Sequence, residues 1–284
     1  MSPRANCGFG GLARLLVTSG FTLVMLILGL GASAAPAQVL HGPYIEDMTS
    51  TEVQAAVRSG ATTIIIPVGG VEQSGPYIAL GKHDVRAHVL AGLVARALGN
   101  ALVAPVVAYV PEGSIDPPTG HMRFAGTISI PPAVFRATLE AAAKSFEAHG
   151  FKDVVLIGDH GGYQSDLRAA ALDLNRAGSK GGPRAHYVGA YYDATQTAYV
   201  AALRARGYSP GEIGTHAGLA DTSLMLAVDP ALVRTEHLKS SPPPGPSAGV
   251  YGDPRRASAA LGQIAVKEIV RQTTLAIQAD LGRR

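Results

Sequence analysis

The feature that most constrains this chain is a repeated alternation of short apolar runs with segments of helical period. "TTIIIPVG" (62–69) is continuous and β-branched, which reads as a strand buried on both faces. "VRAHVLAGLVARALG" (85–99) repeats apolar residues at Val85, Val89, Leu90, Leu93, Val94 and Leu98 and stops at Gly99, which is a helix. "ALVAPVVAYV" (101–110) is a second strand. "PPAVFRATLEAAAKSFEAHG" (131–150) opens on prolines and ends on a glycine, the clearest helix in the chain. "KDVVLIG" leads a third strand into a glycine turn, and "SDLRAAALDLNRAG" is the helix after it, with Ser165 at the N-cap. "RAHYVGAYYD" (184–193) reads as a fourth strand, and "TSLMLAV" and the tail from Arg255 read as helices. Strand–helix–strand order of this kind predicts an α/β fold: a mostly parallel sheet covered by helices on both faces. "SSPPPGPSAGVYGDP" is too rich in proline to be an element. No internal repeat or domain linker interrupts the pattern.

The first 37 residues differ from the rest. Arg4 and Arg14 are their only charged side chains; "LLVTSGFTLVMLILGLG" follows, then the small residues "ASAAPA". A positive n-region, an apolar h-region and an A-x-A site are the parts of a signal peptide, cleaved after Ala34 or Ala37. Leu15 to Gly31 approaches spanning length, so an uncleaved anchor is the alternative; small residues rather than a charged flank favour the signal peptide. Residues 38–284 are then the mature domain, periplasmic or secreted, without a stable membrane span after processing. Removing Arg4 and Arg14 from the 24 basic residues leaves 22 against 21 acidic ones, and no Lys/Arg block argues for nucleic acid. Cys7, the single cysteine, leaves with the leader, so the mature protein is held without disulfides.

Ligands of α/β sheets sit at the carboxyl ends of the strands. Three polar clusters fall there. Glu72 follows the first strand, with His83 and Asp84 on a returning loop. Asp159 and His160 follow "VVLIG", beside two glycines that permit close approach. His216 and Asp221 stand at the start of a helix. Singly, each has an ordinary structural reading: a solvated loop acid, a satisfied histidine, a helix cap. Together they bring histidines and carboxylates to one edge of one sheet.

"PVGGVEQSGP", "LGKHDVRAHVLA", "GHMRFAGTISI", "LIGDHGG", "HAGLADTSLML" and "GDPRRASAALG" occur in the order found in the creatininase (creatinine amidohydrolase) family, which this chain resembles from Ile64 to Gly262. The resemblance implies a metal-dependent hydrolase acting on C–N bonds of small, often cyclic, amides, and a homo-oligomer. It also implies site residues, with departures. The family's Glu-Gln-His-Gly-Pro stretch is Glu72-Gln73-Ser74-Gly75-Pro76 here, so a metal-binding histidine has become Ser74. The position of a metal-bridging aspartate is His83. The family's Gly-His-Gly-Gly histidine corresponds to His160, and its His-Ala-Gly-x-x-Glu-Thr-Ser stretch to His216–Ser223, with Asp221 replacing Glu.

A carboxylate can bridge two cations, whereas a neutral imidazole offers one lone pair. These departures therefore predict one divalent ion held by Glu72, His83 and His160. That set suits zinc with an open position for water; manganese and iron are also compatible. Asp84 is an alternative ligand if the loop shifts. His216 and Asp221 are the expected catalytic residues, acting on the proton of a metal-activated water and of the leaving nitrogen. Asp221 alternatively completes the metal shell. His121 and Ser74 are the expected substrate contacts, and Asp159 orients a ligand from behind. Two other readings stand beside the enzyme: a small-molecule-binding protein that kept the fold and lost the chemistry, supported by Ser74 and His83, and a purely structural subunit.

Overall fold

The structure, a computed structural model, describes residues 42–239 and 244–282. These lie within one compact unit, Pro36–Arg284. The expected signal peptide and Cys7 fall outside the described residues. No helix among the described residues is long and apolar enough to cross a membrane.

Four parallel strands form the sheet in the order β2–β1–β3–β4: β1 Thr63–Val68, β2 Ala101–Val103, β3 Asp153–Gly158 and β4 Arg184–Tyr187. β1 pairs with β3 along its whole length, Thr63 opposite Asp153 and Val68 opposite Gly158. Both strands are buried from end to end, as continuous apolar runs require. Alternate side chains divide between two cores. Ile64, Ile66, Val68, Val154 and Leu156 pack with α1 (Ser50–Arg58), α3 (Pro132–Ala148) and α4 (Gln164–Ala177). Ile65, Val155 and Ile157 pack on the opposite face with α2 (Lys82–Leu98), α5 (Ala190–Gln196), α6 (Ala198–Arg204), α7 (Pro210–Ile213), α8 (Leu219–Val228) and α9 (Ala259–Leu281). The expected α/β sheet with helices on both faces is the observed one. Each such fully buried aliphatic side chain contributes about 1.5–3 kcal/mol.

Four elements differ from the sequence reading. The second strand ends at Val103, because Pro105 has no N–H to continue the ladder; contact with β1 resumes only at Val107. The fourth ends at Tyr187, and Gly189 turns the chain into α5, whose Tyr191 and Ala194, three residues apart, bury on one helical face. α2 begins at Lys82, so His83 and Asp84 occupy its first turn and not a returning loop. α4 starts one residue before Ser165, from a short 3-10 turn at Gly161–Tyr163. α1, which the sequence reading passed over, opens on a capping box: Thr49 Oγ1 accepts from Glu52 N, and the Glu52 carboxylate accepts from Thr49 N.

α8 and α9 cross in close contact at Gly262, where a Cβ would lie 1.9 Å from the Ser223 carbonyl oxygen. That atom is backbone and cannot swing aside. Gly262→Ala is therefore expected to lower unfolding free energy by at least about 1–3 kcal/mol, the usual range for overpacking, measured by urea denaturation. An unchanged midpoint would mean that the two helices are not in register at this position.

Candidate functional site

Glu72 and Glu112 each follow a segment on the sheet's carboxyl-end side, and each is flanked by turn residues. Gly70, at φ +139°, lets the loop after β1 pass within reach of Glu112; a Cβ there would lie 2.9 Å from Glu112 Oε1. His160 leaves the end of β3, and His121 sits in a 3-10 turn at Gly120–Arg123. Glu72, Glu112, His121 and His160 each place one potential ligand atom within 4.8 Å of the others. His121 Nε2 is 3.1 Å and His160 Nε2 3.5 Å from Glu72 Oε2, while His160 Nδ1 is 3.4 Å from Glu112 Oε1.

The first turns of α2 bring three bases against three acids. Glu72 Oε1 lies 2.7 Å from His83 Nε2 and 3.2 Å from Lys82 Nζ. Lys82 also donates to Asp221 Oδ2 at 2.6 Å, and Arg86 donates to Asp221 Oδ1 at 2.5 Å and to Asp159 Oδ2 at 2.8 Å. His83 Nδ1 lies 2.5 Å from Asp159 Oδ2. Followed round, Glu72, Lys82, Asp221, Arg86, Asp159 and His83 close into a ring of alternating acid and base. Tyr191 Oη adds a donor to Asp159, and Ala217 N one to Asp221.

These positions decide how the expected residues sit. Glu72, His83 and His160 converge, but both ring nitrogens of His83 face carboxylates, so neither is left to bind an ion. The four-residue cluster contains Glu112 and His121 in place of His83. Asp84 accepts from Gly70 N at 2.8 Å, which ties it to the loop backbone and turns it from the cluster. Asp159 touches His83 and Arg86 from behind, as expected of an orienting group. His121, expected to touch substrate, lies in the cluster and also lines the cavity. Ser74 is completely buried, its Oγ has no partner among the described residues, and it does not line the cavity. His216 and Asp221 do line it. Sequence reasoning missed Glu112, although "VPEG" repeats the strand-then-turn context that singled out Glu72. It also passed over Lys82 and Arg86, whose spacing from His83 carries no signal until the helix is known to start at Lys82.

Burial alone would raise every acid here; the neighbours decide the outcome. Against burial, the Lys82 ammonium and His83 hold Glu72 well below the carboxylate range. Lys82 and Arg86 do the same for Asp221. Glu112 has no such partner: burial, then the Glu72 carboxylate, push it up to about 9. Burial lowers His160 to about 3 and His216 to about 4, and also lowers His121. These three imidazoles are therefore neutral at pH 7 and keep a lone pair. Glu72 Oε2 and both Glu112 oxygens are buried without a hydrogen-bond partner among the described residues. Unpartnered carboxylate oxygens beside neutral imidazoles form a donor set that fits a divalent cation, which would supply the charge these oxygens lack. The cavity over this cluster measures about 390 Å³, with Tyr192, Gln196, Thr215 and Tyr251 among its walls. That is the size of a small-molecule site.

The creatininase family profile, described as creatinine amidohydrolase, matches residues 46–277. Among characterised relatives, the creatinine amidohydrolase of Pseudomonas putida is 28% identical over 207 residues, 70% of this chain and 77% of its own. The mycofactocin precursor peptide peptidase of Mycobacterium tuberculosis is 31% identical over 246 residues, 78% of this chain and 86% of its own. A crystal structure of creatinine amidohydrolase (creatininase) superposes with a TM-score of 0.69 at 25% identity, covering 84% of this chain and 98% of that one.

Without metal, Glu112 makes stability depend on pH. Its folded value lies above its unfolded one, so its contribution is full below about 4.5 and is lost as pH rises toward 9. Metal-free Glu112→Gln should therefore exceed metal-free wild type by on the order of 1–3 kcal/mol at pH 8, with the difference shrinking below pH 5. Urea titrations at the two pH values decide this, and a difference of the opposite sign would mean that Glu112 is ionised in the folded protein.

Proposed function

Because the chain belongs to the creatininase (creatinine amidohydrolase) family, we propose that it is a metal-dependent amidohydrolase that cleaves a C–N bond of a small amide in the cavity above Glu72. The observation that carries this reading is the set of buried, unpartnered oxygens of Glu72 and Glu112 beside two neutral imidazoles. Glu72, Glu112, His121 and His160 would hold one divalent ion, with zinc or manganese the best fit to two carboxylates and two imidazoles. Bound there, the ion supplies Lewis acidity toward a carbonyl and acidifies water.

The chain's own residues supply the rest. His216 Nε2 lies 2.8 Å from the Gln73 carbonyl oxygen, so this nitrogen carries the proton and donates. Its Nδ1 is left as the acceptor, 3.5 Å from Glu72 Oε1, on a residue that lines the cavity. We assign His216 Nδ1 the proton that leaves the attacking water and returns to the departing nitrogen. Asp221 is ill suited to that exchange, because Lys82 and Arg86 keep it ionised; it fixes Lys82 and, through Ala217 N, the loop that carries His216. His83 positions Glu72 by holding its Oε1, which leaves Oε2 turned toward the cluster. The relatives named for creatinine and for a precursor peptide both act on amide-type bonds, which supports the reaction class and leaves the individual substrate open.

Metal analysis of the purified protein tests the centre. Bound zinc or manganese is expected, and His160→Ala or Glu112→Ala should weaken it by at least about 100-fold, since an outer-shell contact alone is worth about 10–100-fold. Chelation should abolish amine release from a panel of cyclic amides and short peptides, and Mn(II) or Zn(II) should restore it. A protein free of transition metal after loading, with His160→Ala indistinguishable from it, would defeat the proposal.

Export belongs to the same reading and is supported by the n-region, apolar run and small-residue sites of residues 1–37. N-terminal sequencing of protein recovered outside the cytoplasm should begin at Ala35 or Gln38. Recovery of an intact Met1 would point instead to a membrane anchor.

A further inference from the structure

We propose that the Lys82 ammonium takes the place of a second cation, so that the centre holds one divalent ion and is completed by a cation of the chain itself. This rests on the metal reading above and concerns a residue that reading does not use.

Lys82 is 1% exposed, yet it is among the residues that line the cavity. It stands 2.6 Å from Asp221 Oδ2 and 3.2 Å from Glu72 Oε1, and His216 Nδ1 lies 3.5 Å from that same Glu72 oxygen. Two carboxylate oxygens thus meet at the ammonium, which the first turn of α2 delivers between them. Glu72 is divided between the two positions: Oε1 faces Lys82 and His83, while Oε2 faces His121 and His160. One carboxylate therefore spans two cationic positions, of which one is covalently part of the protein.

Removing Lys82 vacates the space between Glu72 Oε1 and Asp221 Oδ2 and takes away the cation that faces both of them.

Native mass spectrometry of the purified protein titrated with Mn(II), and separately with Zn(II), tests the proposal. Wild type is expected to saturate at one ion per chain, and folded Lys82→Ala, checked by circular dichroism, at two. Two ions per wild-type chain would overturn the inference and leave the metal centre standing. No ion on wild type would defeat the metal centre itself, and this inference with it. A folded Lys82→Ala that holds one ion or none also overturns the inference. If that variant does not fold, folded Lys82→Ser takes its place in the count and is read the same way.

Discussion

The closed ring of Glu72, Lys82, Asp221, Arg86, Asp159 and His83 is the interaction on which the rest of the site depends. All its bases come from the first turns of α2, and its acids come from three separate segments: the loop after β1, the end of β3 and the first turn of α8. The ring therefore ties the carboxyl-end side of the sheet to one helix. Its members are nearly all buried, so each charge is tolerable only because its neighbours are present. Breaking one such buried pair costs about 3–5 kcal/mol, because the partner is left uncompensated. The ring has the energetics of a device that specifies geometry; a well-packed apolar core would be at least as stabilising.

From that geometry follows an electrostatic division. On one side of Glu72 the acids are paired and ionised. On the other, Glu112 faces the same carboxylate beside the neutral His160 imidazole and is pushed toward its neutral form, among imidazoles that burial also keeps neutral. A region with this many donors and so little positive charge favours a cation. The family's chemistry, amide hydrolysis, needs electrophilic help at a carbonyl and a proton shuttle nearby. His121, His160 and His216 line one cavity, and the unpartnered oxygens of Glu72 and Glu112 lie buried beside the first two.

Much of this was legible in the chain. β1, β3, α3 and α9 follow from apolar period and from proline and glycine punctuation, and the parallel sheet follows from their order. Glu72, His160, His216 and Asp221 were found because they sit at strand ends and helix starts, where α/β proteins keep their chemistry. What escaped depended on where elements begin and end. β4 gives way to a helix at Gly189, a change invisible in "RAHYVGAYYD", whose apolar residues suit either state. α2 starts three residues earlier than its apolar stripe, because Lys82, His83 and Arg86 are buried polar residues that hydrophobic patterning cannot see. For the same reason His83 read as a metal ligand, when its two nitrogens are occupied by Glu72 and Asp159.

The linear order of residues determined the fold class, the family and the edge of the sheet where polar groups gather, because periodicity and turn chemistry are local properties. Tertiary structure alone decided which of those groups meet. Glu112 lies 40 residues from Glu72 and His121 lies 49, and a cation-binding set is defined by distances of a few ångströms between side chains that no local rule connects. Whether a buried lysine or histidine is a ligand, a clamp or a stand-in for an ion depends on which carboxylate oxygen it faces. Only the packing of α2 against three separate segments settles that.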